Sequence, residues 1–154
     1  MAEIKSLTGA GWLKDADDNF QSLKSLAGLH VTPFVFDTAE NDAGDTPASN
    51  KTVAAHPLAV TIPDNAIVIG GSIDVIAAVT SDGSATVAIS LVAANDLLTA
   101  TGKASLGIKA QKPLAAVIAQ PIKLEEEKAV TVTVGTAALT AGKINGYIIW
   151  MEGE

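Results

Sequence analysis

The chain has no cysteine and no arginine, and among its 154 residues there are two histidines, two tryptophans, one tyrosine and three phenylalanines. Without cysteine there are no disulfides, no thiolate chemistry and no cysteine-held zinc or iron–sulfur site. The compartment stays open, because a cysteine-free chain suits either side of a membrane. All ten basic residues are lysines, scattered from Lys5 to Lys143, against seventeen acidic residues and a formal charge of -7. Nucleic-acid surfaces want clustered positive charge and the planar guanidinium fork, so no nucleic-acid partner is expected. Two histidines rule out a three-histidine metal site. His30 and His56 each stand beside an apolar or proline residue at a strand boundary, which reads as a packed or surface structural role.

Long apolar runs are missing too. No stretch reaches the about 18 residues that a membrane helix requires, so no membrane partner is expected. The opening Met1-Ala2-Glu3-Ile4-Lys5-Ser6-Leu7 lacks a charged start followed by a continuous apolar stretch, and export through a signal peptide is not expected. Strands alternating with long helices, as a Rossmann or barrel enzyme would show, are absent, and no period long enough for a solenoid recurs.

What is present is alanine, valine, isoleucine and threonine in period-two patterns. Successive side chains of a strand leave on opposite faces, so alternation of apolar and polar residues marks a strand with one buried face. Ile73, Val75, Ala77 and Val79 alternate in this way, and so do Ala85, Val87, Ile89 and Leu91. With Ser81-Asp82-Gly83 between them, residues 66–91 are predicted to form a β-hairpin whose glycine supplies the positive φ of the turn. The adjacent Gly70 and Gly71 predict a bulge, a sharp bend or a change of sheet.

The remaining segments follow the same logic. Asp18 with Gln21 resembles a capping box, Phe20, Leu23, Leu26 and Ala27 share a face, and Gly28 is placed to end a short helix. Leu29 to Phe36 is a strand with Val31 and Val35 on one parity and Phe34 and Phe36 on the other. Pro33 confines it to an edge or a bulge. Residues 37–50 form a loop by composition, and strand character resumes from Lys51 to Ile62 with a bend at Pro57. Pro63-Asp64-Asn65 is a turn. Residues 97–101 are ambiguous between strand and helical turn, Leu106, Ile108 and Ala110 suggest a short strand, and Pro121 marks another edge. Ala129 to Val134 alternates most cleanly, valines inward and threonines outward. The last strand, Lys143 to Met151, is apolar on both parities, with Ile144, Ile148 and Trp150 on one and Tyr147, Ile149 and Met151 on the other. Such a strand lies centrally, or its outer face meets another subunit.

A chain of this length is about one domain and buries roughly two thirds of its unfolded surface. The expected fold is all-β: an antiparallel β-sandwich or barrel, jelly-roll-like, of about eight strands, with one short N-terminal helix. Residues 1–28 form the arm and helix, and residues 29–154 a single β domain.

Candidate sites are few. Asp74, set inside an apolar strand, reads either as a buried acid or, more simply, as a solvent-facing or subunit-contact carboxylate opposite Ile73. Asp37, Glu40, Asp42 and Asp45 offer calcium-type oxygens without the spacing of a calcium loop. Glu125, Glu126 and Glu127 read as a solvated turn that keeps a strand edge from pairing with strangers. Gly9-Ala10-Gly11-Trp12-Leu13-Lys14 is too incomplete for a phosphate loop, and Asn50-Lys51-Thr52 is a formal glycosylation sequon. Trp12, Phe20, Phe34, Phe36, Tyr147 and Trp150 gather toward the two ends of the chain, where they close the domain across its termini or anchor a subunit contact. No catalytic, cofactor-binding or metal-binding residue is assigned, and no cofactor is expected.

Two segments carry a resemblance. Thr52 to Val68, followed by Ile73 to Leu91, and the closing Ala129 to Val134 strand with Ala138-Leu139-Thr140-Ala141-Gly142-Lys143, resemble small β-rich virion proteins of tailed bacteriophages, of the capsid decoration, cement or head-fibre type. The resemblance spans residues 51–151. It implies a non-enzymatic homotrimer on the outside of the virion head, made in the host cytoplasm and bound to the major capsid protein or another virion protein. A carbohydrate- or receptor-binding module, such as a fibre tip or adhesin, is the alternative; it would need Trp12 or Tyr147 exposed beside polar groups.

Overall fold

The computed structural model describes residues 28–39, 49–114 and 121–153. Within them lie β1 (Leu29–Asp37), β2 (Ala54–Ile62), β3 (Ala66–Thr80), β4 (Thr86–Ser90), β5 (Leu98–Gly102), β6 (Gln111–Pro113), β7 (Ile122–Lys123), β8 (Lys128–Gly135) and β9 (Ala141–Glu152). The predicted helix and its capping box precede Gly28 and lie outside the described residues, as do the glycine-rich fragment of residues 9–14 and the aromatics Trp12 and Phe20.

The strands form two antiparallel sheets packed as a β-sandwich. Sheet A has the order β1-β9-β3-β6, with β7 also paired to β3, and sheet B has the order β2-β8-β4-β5. One continuous core lies between them, built from Phe34 and Phe36 of β1, Ile73, Val75 and Val79 of β3 and Ile144 and Ile148 of β9. These meet Leu58 and Ile62 of β2, Val87 and Ile89 of β4 and Val130, Val132 and Val134 of β8. β8 follows the predicted alternation, with its valines buried and Thr131 and Thr133 half-buried on the opposite face. Branched aliphatics suit this position because their stiff side chains pack on a pleated surface with little loss of rotamer freedom.

Residues 66–91 are not a hairpin. β3 belongs to sheet A and β4 to sheet B, so the chain between them crosses from one sheet to the other. Both strands turn their apolar parity into the same core from opposite sides, and a crossover therefore carries the same alternation as a hairpin. Partner choice decides between them: one edge of β3 is taken by β9 and the other by β6 and β7. The crossing is tied down by Ser81, whose hydroxyl donates to Ala138 O at 2.6 Å and accepts from Gly83 N–H at 3.1 Å. Gly83 does not take a positive φ. Its role is close approach, since a Cβ there would lie 2.7 Å from the Cβ of Ala137.

Residues 106–110 also differ from expectation. Lys103–Ser105 is a 3-10 turn, and the chain then follows the edge of β3 in irregular form, with Val79 N–H donating to Leu106 O and Lys109 N–H to Val75 O. The strand itself is β6, which begins immediately after Ala110. Of residues 97–101, all but Leu97 resolve as strand, in β5.

Most other expectations are met. Pro33 lies in edge strand β1, where a missing N–H can face outward, while Pro57 lies within a single strand, β2, rather than between two short ones. The β2–β8 register shifts between Pro57 and Thr61, and the β3–β9 register shifts between Val68 and Gly70, beside the paired glycines. The doubly apolar last strand is central: β9 lies between β1 and β3.

Gly146 is where β1 and β9 fit together. It is paired with Phe34 across the strands, and a Cβ on it would stand 2.3 to 2.8 Å from three atoms of the Phe34 ring. Phe34 is 2% exposed, so its ring has nowhere to retreat. Gly146→Ala is expected to destabilise the fold by about 1–3 kcal/mol, the usual cost of overpacking a core. Urea unfolding measures it; a midpoint equal to that of the parent chain would count against this packing account.

Candidate interaction face

The two outer faces of the sandwich differ in chemistry. On sheet B the outward positions align as Ala55, Thr133 and a buried Ala88 in one row and Pro57, Thr131 and Ser90 in the next, a face of small and hydroxylic groups. On sheet A the rows are larger and apolar. Leu29 aligns with Met151 and Ile67, Val31 with Ile149, and Pro33 with Tyr147 and Ser72. Val31 is 60% exposed, Leu29 46% and Tyr147 43%. Isolated apolar residues on a surface are ordinary, but a contiguous apolar band is a mark of interaction sites.

The next row changes character. Val35, Asn145, Asp74 and Gln111 lie side by side across β1, β9, β3 and β6. With Ser72, Gly146 and Tyr147, the last three line a shallow depression of about 340 Å³. Asp74 is thus the half-buried, outward-facing carboxylate opposite a buried Ile73, and it is the one carboxylate lining the depression. The residues that join it, Gln111 and Asn145, were not singled out from sequence. The signal that unites them is cross-strand register, which one sequence does not display.

The last row is ionic. Asp37 at the end of β1 faces Lys143 of β9, and their charged atoms are 3.0 Å apart. Partial burial works to raise the Asp37 pKa, yet the Ala39 N–H and the hydrogen bond and charge of Lys143 together outweigh it and hold the carboxyl below its ordinary value. Asp37 is committed to this pair. Glu40, Asp42 and Asp45, its companions in the calcium reading, lie outside the described residues. Among the described residues, no group of three or more histidines and carboxylates is placed to hold a metal ion.

The remaining candidates have structural surroundings. His56 is buried, its Nε2 lies 3.0 Å from Thr52 O, and its ring leans toward Phe36. A carbonyl oxygen only accepts, so that nitrogen carries the proton. His30 is stacked on Trp150 with ring centroids 4.2 Å apart and reaches Glu152 at 3.2 Å. Asn50, the sequon asparagine, is 1% exposed and donates its amide to Asp37 O, so it is closed to modification in the folded chain. The acidic turn at Glu125–Glu127 is solvated, and Lys128 holds the Glu126 carboxyl below its ordinary pKa through a hydrogen bond and its charge. It leads the chain from β7, which pairs only with β3 in sheet A, to β8, which is paired on both sides in sheet B.

No family model and no curated protein matches the chain. Solved structures do match in fold. A chain of the acid-stable capsid structure of Helicobacter pylori bacteriophage KHP30 aligns with a TM-score of 0.55 and 15% identity, over 82% of this chain and 89% of that one. A chain of the Ralstonia phage GP4 capsid gives 0.53 and 18% identity, over 81% and 86%. A chain of the cyanophage Pam1 capsid asymmetric unit gives 0.50 and 15%, over 80% and 83%. The β-sandwich of this chain is therefore a fold that phage capsid structures contain, matched over most of the length of both partners.

The ionic row sets a pH dependence. A carboxyl whose folded pKa is lowered stabilises the fold above its unfolded value, and the contribution is lost as pH falls through the lowered folded value. Asp37→Asn is expected to cost about 1 kcal/mol at neutral pH. The difference from the parent should shrink below the ordinary value of 3.8. Urea unfolding midpoints of both chains across a pH series check it; a gap that does not narrow in acid would refute the assignment.

Proposed function

We propose that this chain is a structural component of a phage virion that decorates or cements the capsid through non-covalent contacts, on the head surface and without enzymatic activity. The observation that carries this reading is the apolar band of exposed Leu29, Val31, Tyr147 and Met151 with half-buried Ile149 between them, on a sandwich whose fold recurs in capsid structures. A carboxylate pair of the kind that performs acid and base chemistry is not found in the depression beside it, which holds Asp74 alone.

The occupant of the band in this reading is a second copy of the chain, arranged as a homotrimer. Copies bearing a net charge of -7 repel one another, so a self-contact is favoured where no like charges meet. The rows from Leu29 to Tyr147 contain no charged residue on β1 and β9; across the sheet the first of them ends at Lys123 of β7, and carboxylates enter with Asp74 in the Val35 row and Asp37 in the last. The major capsid protein or another virion protein is then met by other surfaces, among them residues 1–28 as an arm, with residues 29–154 as the β domain. Many modest contacts repeated over a lattice give firm attachment.

Light scattering tests the self-contact. The parent chain is expected to have the mass of a trimer and the double variant Val31→Asp with Met151→Asp that of a monomer, with unchanged circular dichroism because both sites are exposed. A parent chain that is monomeric at every concentration would defeat this part of the reading. Deletion of residues 1–28 is expected to reduce co-sedimentation with phage particles while the β fold persists; full retention of binding would show that the arm is not needed.

A further inference from the structure

We infer that the depression across β9, β3 and β6 is a binding site for an uncharged saccharide. It lies beyond the center of the apolar band on sheet A, shares only Tyr147 with that band, and does not depend on the virion reading.

Three polar heads converge there. Asp74 is paired in register with Asn145 on one side and Gln111 on the other, so the three side chains are immediate cross-strand neighbours on one face. None of them is engaged by a protein partner among the described residues, and the depression they line opens to solvent. Ser72, by contrast, is occupied, its hydroxyl donating to Lys112 O at 3.2 Å. A carboxylate accepts only, whereas each carboxamide both donates and accepts. That set matches neighbouring ring hydroxyls, each of which donates one hydrogen bond and accepts others.

Tyr147 supplies the second half of a sugar site. It lies two residues from Asn145 on the same face of β9 and is 43% exposed, so its ring offers an apolar surface for the C–H face of a pyranose while its hydroxyl stays wet. Such a site needs a rigid floor, and this one has it. Beneath Gly146 the buried Phe34 ring fills the space that an inward side chain would take, so the strand backbone there is backed by packed core. Its volume is at the small end of ligand sites. Charge narrows the ligand further: the one acidic or basic side chain in the depression is an acid, and the whole chain carries -7, which disfavours sialylated or sulfated sugars.

The test is a titration of the full-length, nitrogen-15-labelled chain with lactose, maltose, cellobiose, methyl α-mannoside and N,N′-diacetylchitobiose, with 3′-sialyllactose as the charged comparator. At least one neutral sugar is expected to shift the Asn145 and Gln111 side-chain amide signals saturably in the millimolar range, and sialyllactose to bind more weakly than it. Asp74→Ala and Tyr147→Ala should each weaken binding by about tenfold or more, with the rest of the spectrum preserved. Absence of a saturable shift with all five neutral sugars would overturn the site, and so would binding that survives both substitutions. The monomeric Val31→Asp, Met151→Asp variant is titrated beside the parent. Sugar binding by a parent that never oligomerises defeats only the self-contact, and a trimer without sugar binding on either background defeats only the saccharide site.

Discussion

The last strand holds sheet A together. β9 pairs with β1 from Leu29↔Met151 to Asp37↔Lys143 and with β3 from Ala66↔Glu152 to Thr80↔Ala141, and β1 has no other neighbour in its sheet. The first described strand therefore finds its place only when residues more than a hundred positions later are present. Closing so long a loop costs chain entropy before any contact is made. The return is a strand buried on its inner face by Ile144, Ile148 and Trp150, with polar needs met locally: Trp150 Nε1–H donates to Thr32 Oγ1 at 2.9 Å, and His30 stacks on the indole. Gly146 lets the two strands approach around Phe34.

This dependence on distant partners explains what could be read from the chain beforehand. Alternation reports which face a side chain takes, because that is local geometry. The inward valines of β8, the shared face of Phe34 and Phe36, and the confinement of Pro33 to an edge or bulge were all legible for that reason. Alternation does not report which strand lies alongside. Residues 66–91 satisfied a hairpin and a sheet-to-sheet crossover equally, and the choice was made by β9, β6 and β7 occupying the edges of β3. Gly83 misled in the same way: glycine serves positive φ or close approach, and only the position of Ala137 shows that it serves the second.

The site was half legible. Asp74 stood out as a carboxylate within an apolar strand and Tyr147 as an aromatic on the last one, but they are 73 positions apart. Asn145 and Gln111 are ordinary polar residues until register aligns them with Asp74. Asn50 is the reverse case. Its sequon is visible in the sequence, and its burial makes it a structural amide bonded to Asp37 O.

Register also orders the outer face of sheet A. From the Leu29 end to the Asp37 end, the β1–β9 rows pass from aliphatic, through Pro33 with Tyr147, to amide, and finally to an ion pair. Side chains on one face of a strand recur every second residue, at about 6.6 Å, so Met151 and Asn145 are separated by roughly 20 Å along β9. That distance is enough for a subunit contact centered on Leu29, Val31 and Met151 to leave the Asp74 row open. Tyr147 lies between the two regions, with its ring available to either. A sheet that instead alternated apolar and polar residues along each row would spoil both, wetting the contact and crowding the amides. The segregation of rows, more than the amount of exposed apolar surface, is what gives this face two separable chemistries.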